Sequence, residues 1–244
     1  MISKATGKFI KSLQVKKYRK EEQSFIVEGA KSVAELLRSD FEVKWLAATD
    51  DFLQLHSNVL SNRHIEWTEA SAKELGQLGT FQTNDGALAI ASMKPNQPLT
   101  VQNEYALILD DIRDPGNLGT IIRTADWYGI DKIIASEKTA DFYNPKVISA
   151  TMGSFCRVQL YYANLVEYLN TTHLPVYGTF LNGKNIYTVD FEKAGLIAMG
   201  NEANGISTEV GQLVTVPITI PKRGGAESLN ASIATAIVLD NVFR

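Results

Sequence analysis

Tyr105-Ala106-Leu107-Ile108-Leu109-Asp110-Asp111-Ile112-Arg113-Asp114-Pro115-Gly116-Asn117-Leu118-Gly119 decides the fold. Tyr105–Leu109 is an unbroken apolar run, the pattern of a parallel strand covered on both faces. The two aspartates end it. The loop that follows contains proline and glycine, and Leu118–Tyr128 then has helical periodicity. A strand that feeds a helix through a polar loop is the repeating unit of open α/β sheets. Such sheets bind ligands in these loops, at the carboxyl ends of the strands.

The same grammar recurs downstream. Expected strands are Lys132–Ala135, Val158–Tyr162, Val176–Phe180, Leu196–Met199 and Val214–Ile220, and expected helices are Pro145–Gly153 and Leu165–Asn170. Two further loops follow strands. Gly200-Asn201-Glu202-Ala203-Asn204-Gly205-Ile206 leads to a short helix capped by Ser207. Pro221-Lys222-Arg223-Gly224-Gly225-Ala226-Glu227-Ser228 leads to a last helix, Leu229–Phe243. That helix is apolar on nearly every side, so it is expected to be buried, against its own domain on one side and a second subunit on the other.

Upstream, a smaller α/β unit is expected. Phe9, Ile10, Leu13 and Lys17 share one side of a helix. Ser24–Glu28, Val43–Ala48, His64–Thr68 and Ala87–Met93 read as strands, and Ala30–Arg38 and Phe52–Leu60 as helices. Ser71 followed by Glu74 is a capping box. Lys94-Pro95-Asn96-Gln97-Pro98 reads as an extended connection. The expected division is residues 1–94 as a first domain, 95–104 as a linker and 105–244 as a second domain. The fold class is α/β, with a mainly parallel sheet in the second domain.

Composition narrows the function. The chain of 244 residues has a formal net charge of −3, yet Lys4, Lys8, Lys11, Lys16, Lys17, Arg19 and Lys20 cluster in its first twenty residues without an acid. Such a segment is an electrostatic footprint for nucleic acid, or else a solvated helix face. No run approaches the ~18 apolar residues of a membrane span, and no apolar core of a signal peptide follows the lysines. A single cysteine, Cys156, and three histidines exclude a disulfide framework and make no zinc site. The expected compartment is a reducing cytosol.

The polar residues of the three loops carry the chemistry. Asn117 is a helix N-cap or a ligand contact, and Arg123 a solvated helix residue or a functional one. Glu202 is a surface acid near a helix N-terminus or a hydrogen-bond acceptor for substrate or arginine. Ser228 and Asn230 both sit at a helix start, and capping explains one of them. Glycines at 200 and 205 permit tight turns and close ligand approach. The first loop has only G-x-x-G, so a dinucleotide fingerprint is missing, as are a P-loop, a G-x-S-x-G elbow and H-E-x-x-H. His56, His64 and His173 lie outside the loops, which excludes a histidine base there.

Asp114–Ala125, Met199–Ile206 and Ile220-Pro221-Lys222 through Ser228-Leu229-Asn230-Ala231-Ser232-Ile233-Ala234 together resemble the signature of the SpoU (TrmH-like) branch of the SPOUT methyltransferases. Lys11-Ser12-Leu13, Lys17-Tyr18-Arg19 and Phe25-Ile26-Val27-Glu28-Gly29 resemble that family's RNA substrate-binding domain. Lys222 and Ala231 depart from the commoner methionine and valine. The resemblance implies S-adenosylmethionine-dependent methylation of a ribose 2′-hydroxyl in structured RNA, with rRNA favoured over tRNA. It implies a C-terminal trefoil knot and a homodimer, with neither membrane nor metal. It places Gly200, Ile220, Leu229 and Thr179 at the cofactor, and Asn117, Arg123, Glu202, Ser228 and Asn230 in the catalytic or substrate-binding set. Lys11, Lys16, Lys17 and Arg19 are expected to contact RNA phosphates. The resemblance implies Arg123 as the base; because a guanidinium keeps its proton in proteins, the preferred expectation is that Arg123 orients the ribose and stabilises a developing alkoxide, pinned by Glu202, with the base role as the alternative. A non-catalytic RNA-binding protein with the same fold is the alternative.

Overall fold

The computed structural model describes residues 2–80, 83, 84 and 86–244. It forms two compact units. One is the chain up to Pro95 together with Asp141–Cys156, the other Asn96–Ala140 together with Arg157–Arg244.

In the first unit the elements in chain order are α1 (Lys4–Ser12), α2 (Lys16–Glu22), β1 (Ser24–Glu28), α3 (Ala30–Arg38), β2 (Val43–Ala48), α4 (Asp50–Leu55), α5 (Ser57–Arg63), β3 (Trp67–Glu69), α6 (Ala72–Leu78) and β4 (Ala87–Ser92). The strands form a sheet in the order β1-β4-β2-β3, antiparallel except where β2 meets β3. The capping box at α6 is present: Ser71 Oγ accepts from Glu74 N at 3.3 Å, and Ser71 N donates to Glu74 Oε2 at 2.9 Å. Ile10, Leu13, Ile26, Leu75 and Leu88 close the core on one side of the sheet.

Three expectations are corrected in this unit. The first lysine-rich segment is two helices, broken at Leu13–Val15. Arg19 explains the break, because its Nη1 donates to the carbonyls of Leu13 at 2.9 Å and Gln14 at 2.8 Å, leaving the turn satisfied without helical continuation. The Phe52–Leu60 helix is interrupted at His56, whose ring packs on Phe52 at a centroid distance of 4.4 Å. The strand expected at His64–Thr68 starts only at Trp67, since His64 has φ 53° and ends α5 in the left-handed region.

The second unit contains β5 (Tyr105–Leu109), α7 (Pro115–Trp127), β6 (Lys132–Ser136), β7 (Gln159–Ala163), α9 (Leu165–Leu169), β8 (Val176–Asn185), β9 (Gly195–Met199), α10 (Thr208–Gly211), β10 (Val216–Thr219) and α11 (Ala231–Val242); α8 (Pro145–Thr151) lies in the inserted segment. The sheet order is β10-β8-β9-β5-β6-β7, and every pair is parallel. The two central strands, β5 and β9, are buried along their whole length, as their unbroken apolar runs require. The chain leaves β5 towards β6 but leaves β9 towards β10, on the opposite side. The loops after these neighbouring strands therefore flank a topological switch point.

The segment Asp141–Cys156, which the sequence reading leaves in the second domain, packs within the first unit. Phe155 and Tyr143 join Phe25 and Phe41 in an aromatic cluster with centroid distances of 4.7–6.0 Å. Asp141 Oδ2 accepts from Arg19 Nη2 at 2.7 Å. Arg19 is 1% exposed, so this ion pair is out of water. Removing one partner of such a pair leaves a buried, uncompensated charge, which costs about 3–5 kcal/mol. Arg19→Ala is expected to lower the urea midpoint of the first unit by a loss of about 3 kcal/mol, whereas the exposed Lys11→Ala should stay within about 0.5 kcal/mol of the parent. Equal midpoints for the two variants would remove Arg19 from its structural role.

Candidate active site

The two loops at the switch point are zipped together by backbone and side chains of residues near the strand ends. Leu109 lies opposite Met199 in the ladder, and Asp110 N donates to the Met199 carbonyl at 2.9 Å. Asp110, a buried carboxylate, accepts from Ser207 N at 2.8 Å through Oδ2. Asn201 Nδ2 donates to the Asp111 carbonyl at 2.8 Å. Asp111 itself has φ 60°, and its carboxylate takes a two-pronged contact from Arg113 at 2.7 and 2.8 Å.

The second loop is a closed turn. Asn201 N donates to the Gly205 carbonyl at 3.0 Å, and Gly205 N to the Asn201 carbonyl at 2.8 Å. Gly205 has φ 68°, which glycine adopts without strain. The backbone returns so closely that a Cβ on Gly200 would lie 2.1 Å from the Gly205 carbonyl carbon and 2.2 Å from Ile206 N. No larger residue fits there without moving backbone.

Asp114, not Asn117, caps α7: its Oδ1 accepts from Asn117 N at 2.8 Å, with Pro115 in the first turn. This frees the Asn117 side chain. Asn117 Nδ2 donates to Glu202 Oε1, and Asn117 Oδ1 accepts from Asn230 Nδ2 at 2.9 Å. Asn230 caps α11 at the same time, its Oδ1 accepting from Ser232 N at 2.9 Å and Ser232 Oγ at 2.6 Å. Four residues from the three segments thus form one directional chain, Ser232 to Asn230 to Asn117 to Glu202. Each amide orientation is defined by a donor on one side and an acceptor on the other. Among the described residues, Oε2 of Glu202 has no partner.

The remaining expected site residues are placed as follows. Arg123 lies on the exposed face of α7, about 9 Å further along the axis than Asn117 and turned away from it. Among the described residues it makes no hydrogen bond or ion pair, so the expected pinning by Glu202 is corrected: the partner of Glu202 is Asn117. Ser228 is exposed and two residues before the cap, Asn230. Ile220 is half-buried, and Leu229 stands open to solvent. Thr179 Oγ1 donates to the Ala198 carbonyl at 3.2 Å, beside the end of β9. Every residue from Pro221 to Asn230 is exposed. Among the described residues, no amide of Lys222–Leu229 donates to a protein acceptor. Such open amides, beside the cramped Gly200 turn, can receive a small polar ligand without side-chain help. No group of three His, Cys, Asp or Glu able to hold a metal occurs among the described residues.

In the first unit Lys11, Lys16 and Lys17 are exposed, but Arg19 is buried and cannot touch a phosphate. Its inclusion as an RNA contact is corrected, since its three hydrogen bonds go to carbonyls and Asp141. Sequence reading missed Asp110, Asn201 and Asp114. Asp114 carried a usable signal, an acidic residue directly before a proline at the helix start. Asp110 and Asn201 act across 97 and 90 residues of chain and had no local signature.

Comparison with known proteins agrees with this geometry. Residues 104–240 match the SpoU rRNA Methylase family, and residues 5–89 match the MRM3-like substrate binding domain. A Bacillus subtilis relative, the 23S rRNA (guanosine(2553)-2′-O)-methyltransferase RlmP, is 30% identical over 94% of this chain and 92% of its own length. A putative RNA methyltransferase of the TrmH family from Porphyromonas gingivalis superposes with a TM-score of 0.86 at 34% identity, covering 99% of this chain and 98% of that one. An AdoMet-bound rRNA methyltransferase from Sinorhizobium meliloti gives a TM-score of 0.89 at 30% identity, covering 99% and 95%. With its three polar loops converging on one chain of amides and a carboxylate, and with more than half its length matched, the chain belongs to the SpoU rRNA methylase family.

Proposed function

We propose that this protein transfers a methyl group from S-adenosylmethionine to a ribose 2′-hydroxyl of ribosomal RNA. The carrying observation is the hydrogen-bonded chain Asn230–Asn117–Glu202, which draws on all three loops. The printed activity of the Bacillus subtilis relative, on 23S rRNA, favours rRNA over tRNA. An rRNA substrate places the protein with the ribosomes, in the cytosol, and no described helix is long and apolar enough to cross a membrane.

Gly200, Ile220, Leu229 and Thr179 are the residues we assign to the cofactor, with the open amides of Lys222–Leu229. When bound, the cofactor supplies an electrophilic methyl group on a sulfonium. The protein's share is then positioning and charge. Asn117 and Asn230 each keep one N–H free of the chain that fixes them, and these donors hold the ribose. Oε2 of Glu202 is open to the hydroxyl proton. Arg123 supplies a positive charge for the developing alkoxide or the adjoining phosphate. Ser228 belongs to the substrate-contacting set.

We also propose a homodimer. Trp127, 85% exposed, shares the outer face of α7 with Thr120 and Arg123. Ile233, 51% exposed, shares that of α11 with Leu229 and the half-buried Ile237. The two helices pack side by side, with Asn117 near Asn230 at one end and Tyr128 stacked on Phe243 at the other. The last helix is expected to bury one side against its own domain and the other against a second subunit, and one apolar face of α11 is left uncovered by its own chain. A second copy would cover it, and Arg123 would then lie at the subunit boundary.

Four variants test this reading. Calorimetry on Gly200→Val should show S-adenosylmethionine affinity lost by about 100-fold or more, because the side chain displaces the Gly205–Ile206 backbone; normal affinity would misplace the pocket. Arg123→Ala should lower kcat on rRNA transcripts by about 10²–10³ with cofactor affinity kept. Arg123→Lys separates charge and planarity from base catalysis: a lysine, of reference pKa about 10.4, gives activity rising steeply with pH if the residue is a base, and poor activity at every pH if a rigid fork is needed. Finally, Ile233→Glu should convert the species seen by analytical ultracentrifugation from dimer to monomer.

A further inference from the structure

The turn between α1 and α2 carries a second surface, which the assigned lysines only partly describe. Val15 is 51% exposed and Tyr18 43% exposed, both large apolar groups standing in solvent. Around them Lys11, Lys16, Lys17 and Lys20 are all exposed, and the Lys17 ammonium lies 5.9 Å from the Tyr18 ring centroid. Among the described residues the one ion pair of these lysines is Lys17 with Glu21, at 3.8 Å, and Glu22 is also exposed on α2. The turn beneath is rigid. Arg19 ties down the carbonyls of Leu13 and Gln14 and is itself held by Asp141, while Val15 N donates to the Ser12 carbonyl at 2.9 Å.

From this arrangement we infer that Tyr18 is a stacking platform for an unpaired nucleobase of the RNA substrate, with Lys11, Lys16, Lys17 and Lys20 holding the flanking phosphates. The inference rests on the RNA reading above. An exposed aromatic ring with the Lys17 ammonium beside it, on a segment whose other lysines are exposed, matches a strand whose bases are flat and apolar and whose backbone is anionic. An apolar protein partner would have to strip water from four ammonium groups without compensation. A duplex offers phosphates but keeps its base faces stacked within, so the tyrosine selects loops, bulges or ends. The buried Arg19 is a positioning residue here: it sets the turn that presents Tyr18 and contacts no RNA itself.

The test uses the full-length protein with a twelve-nucleotide oligouridylate, a blunt twelve-base-pair RNA duplex and heparin as probes. Tyr18→Leu keeps the apolar bulk and loses the ring. It should bind the oligouridylate about ten-fold more weakly, with an unchanged salt slope and unchanged affinity for duplex and heparin. Tyr18→Phe should restore binding. Photo-crosslinking with 5-iodouridine should map to Tyr18. Each lysine replaced by alanine should instead reduce the salt slope by about 0.7. A Tyr18→Leu variant that binds the single strand normally, or that loses heparin and duplex by the same factor, overturns the stacking role and leaves a general polyanion patch. Should the parent protein methylate no rRNA transcript at all, the functional reading fails; should it methylate them while Tyr18→Leu matches it in kcat/KM and binding, only the stacking inference fails.

Discussion

The register of β5 against β9 is the constraint on which the site depends. Leu109 faces Met199, so two strands from distant parts of the chain end at one level. Asp110 and Asp111 then lie beside Gly200 and Asn201, and the loops join through Asp110–Ser207 and Asn201–Asp111. A slip of this pairing by one residue would turn Leu109 and Met199 to the other face and separate the polar groups. The unbroken apolar content of both strands does not oppose such a slip, since burial is equal on either face; the loop hydrogen bonds do.

The amide chain follows from that register and from one capping choice. Asp114 caps α7, its Oδ1 accepting from Asn117 N, so the Asn117 side chain is not used as the cap. Asn117 can therefore bridge Glu202 and Asn230. Asn230 has a double duty, holding the start of α11 while orienting Asn117. A carboxylamide fixed at both ends loses little entropy when substrate arrives, which is the physical content of a prepared site. Arg123 stands outside this arrangement, on a face shared with uncovered apolar side chains.

In the first unit one guanidinium separates structure from recognition. Arg19 and its neighbouring lysines look alike as a basic run, but it sinks between two carbonyls and an aspartate brought from the inserted segment 141–156. The lysines stay outside. Arginine suits the buried place because its planar fork satisfies several acceptors at once, whereas a lysine would leave a carbonyl unpaired.

By itself the sequence determined the α/β class, the parallel second sheet, the three ligand-facing loops and the family, because these depend on short-range signals: unbroken apolar runs, capping residues, glycines in turns. It named Asn117, Glu202 and Asn230 together, and the structure joins them by hydrogen bonds; the expected α6 capping box is present. Tertiary structure alone decided who bonds whom. Glu202 pairs with Asn117 and not Arg123; Asp110 and Asn201 prove to be the ties between loops; Arg19 is buried; α11 keeps an open apolar face; and residues 141–156 pack with the first unit. Each of these depends on contacts between residues tens to more than a hundred positions apart, and local periodicity carries no information about which distant partner will arrive.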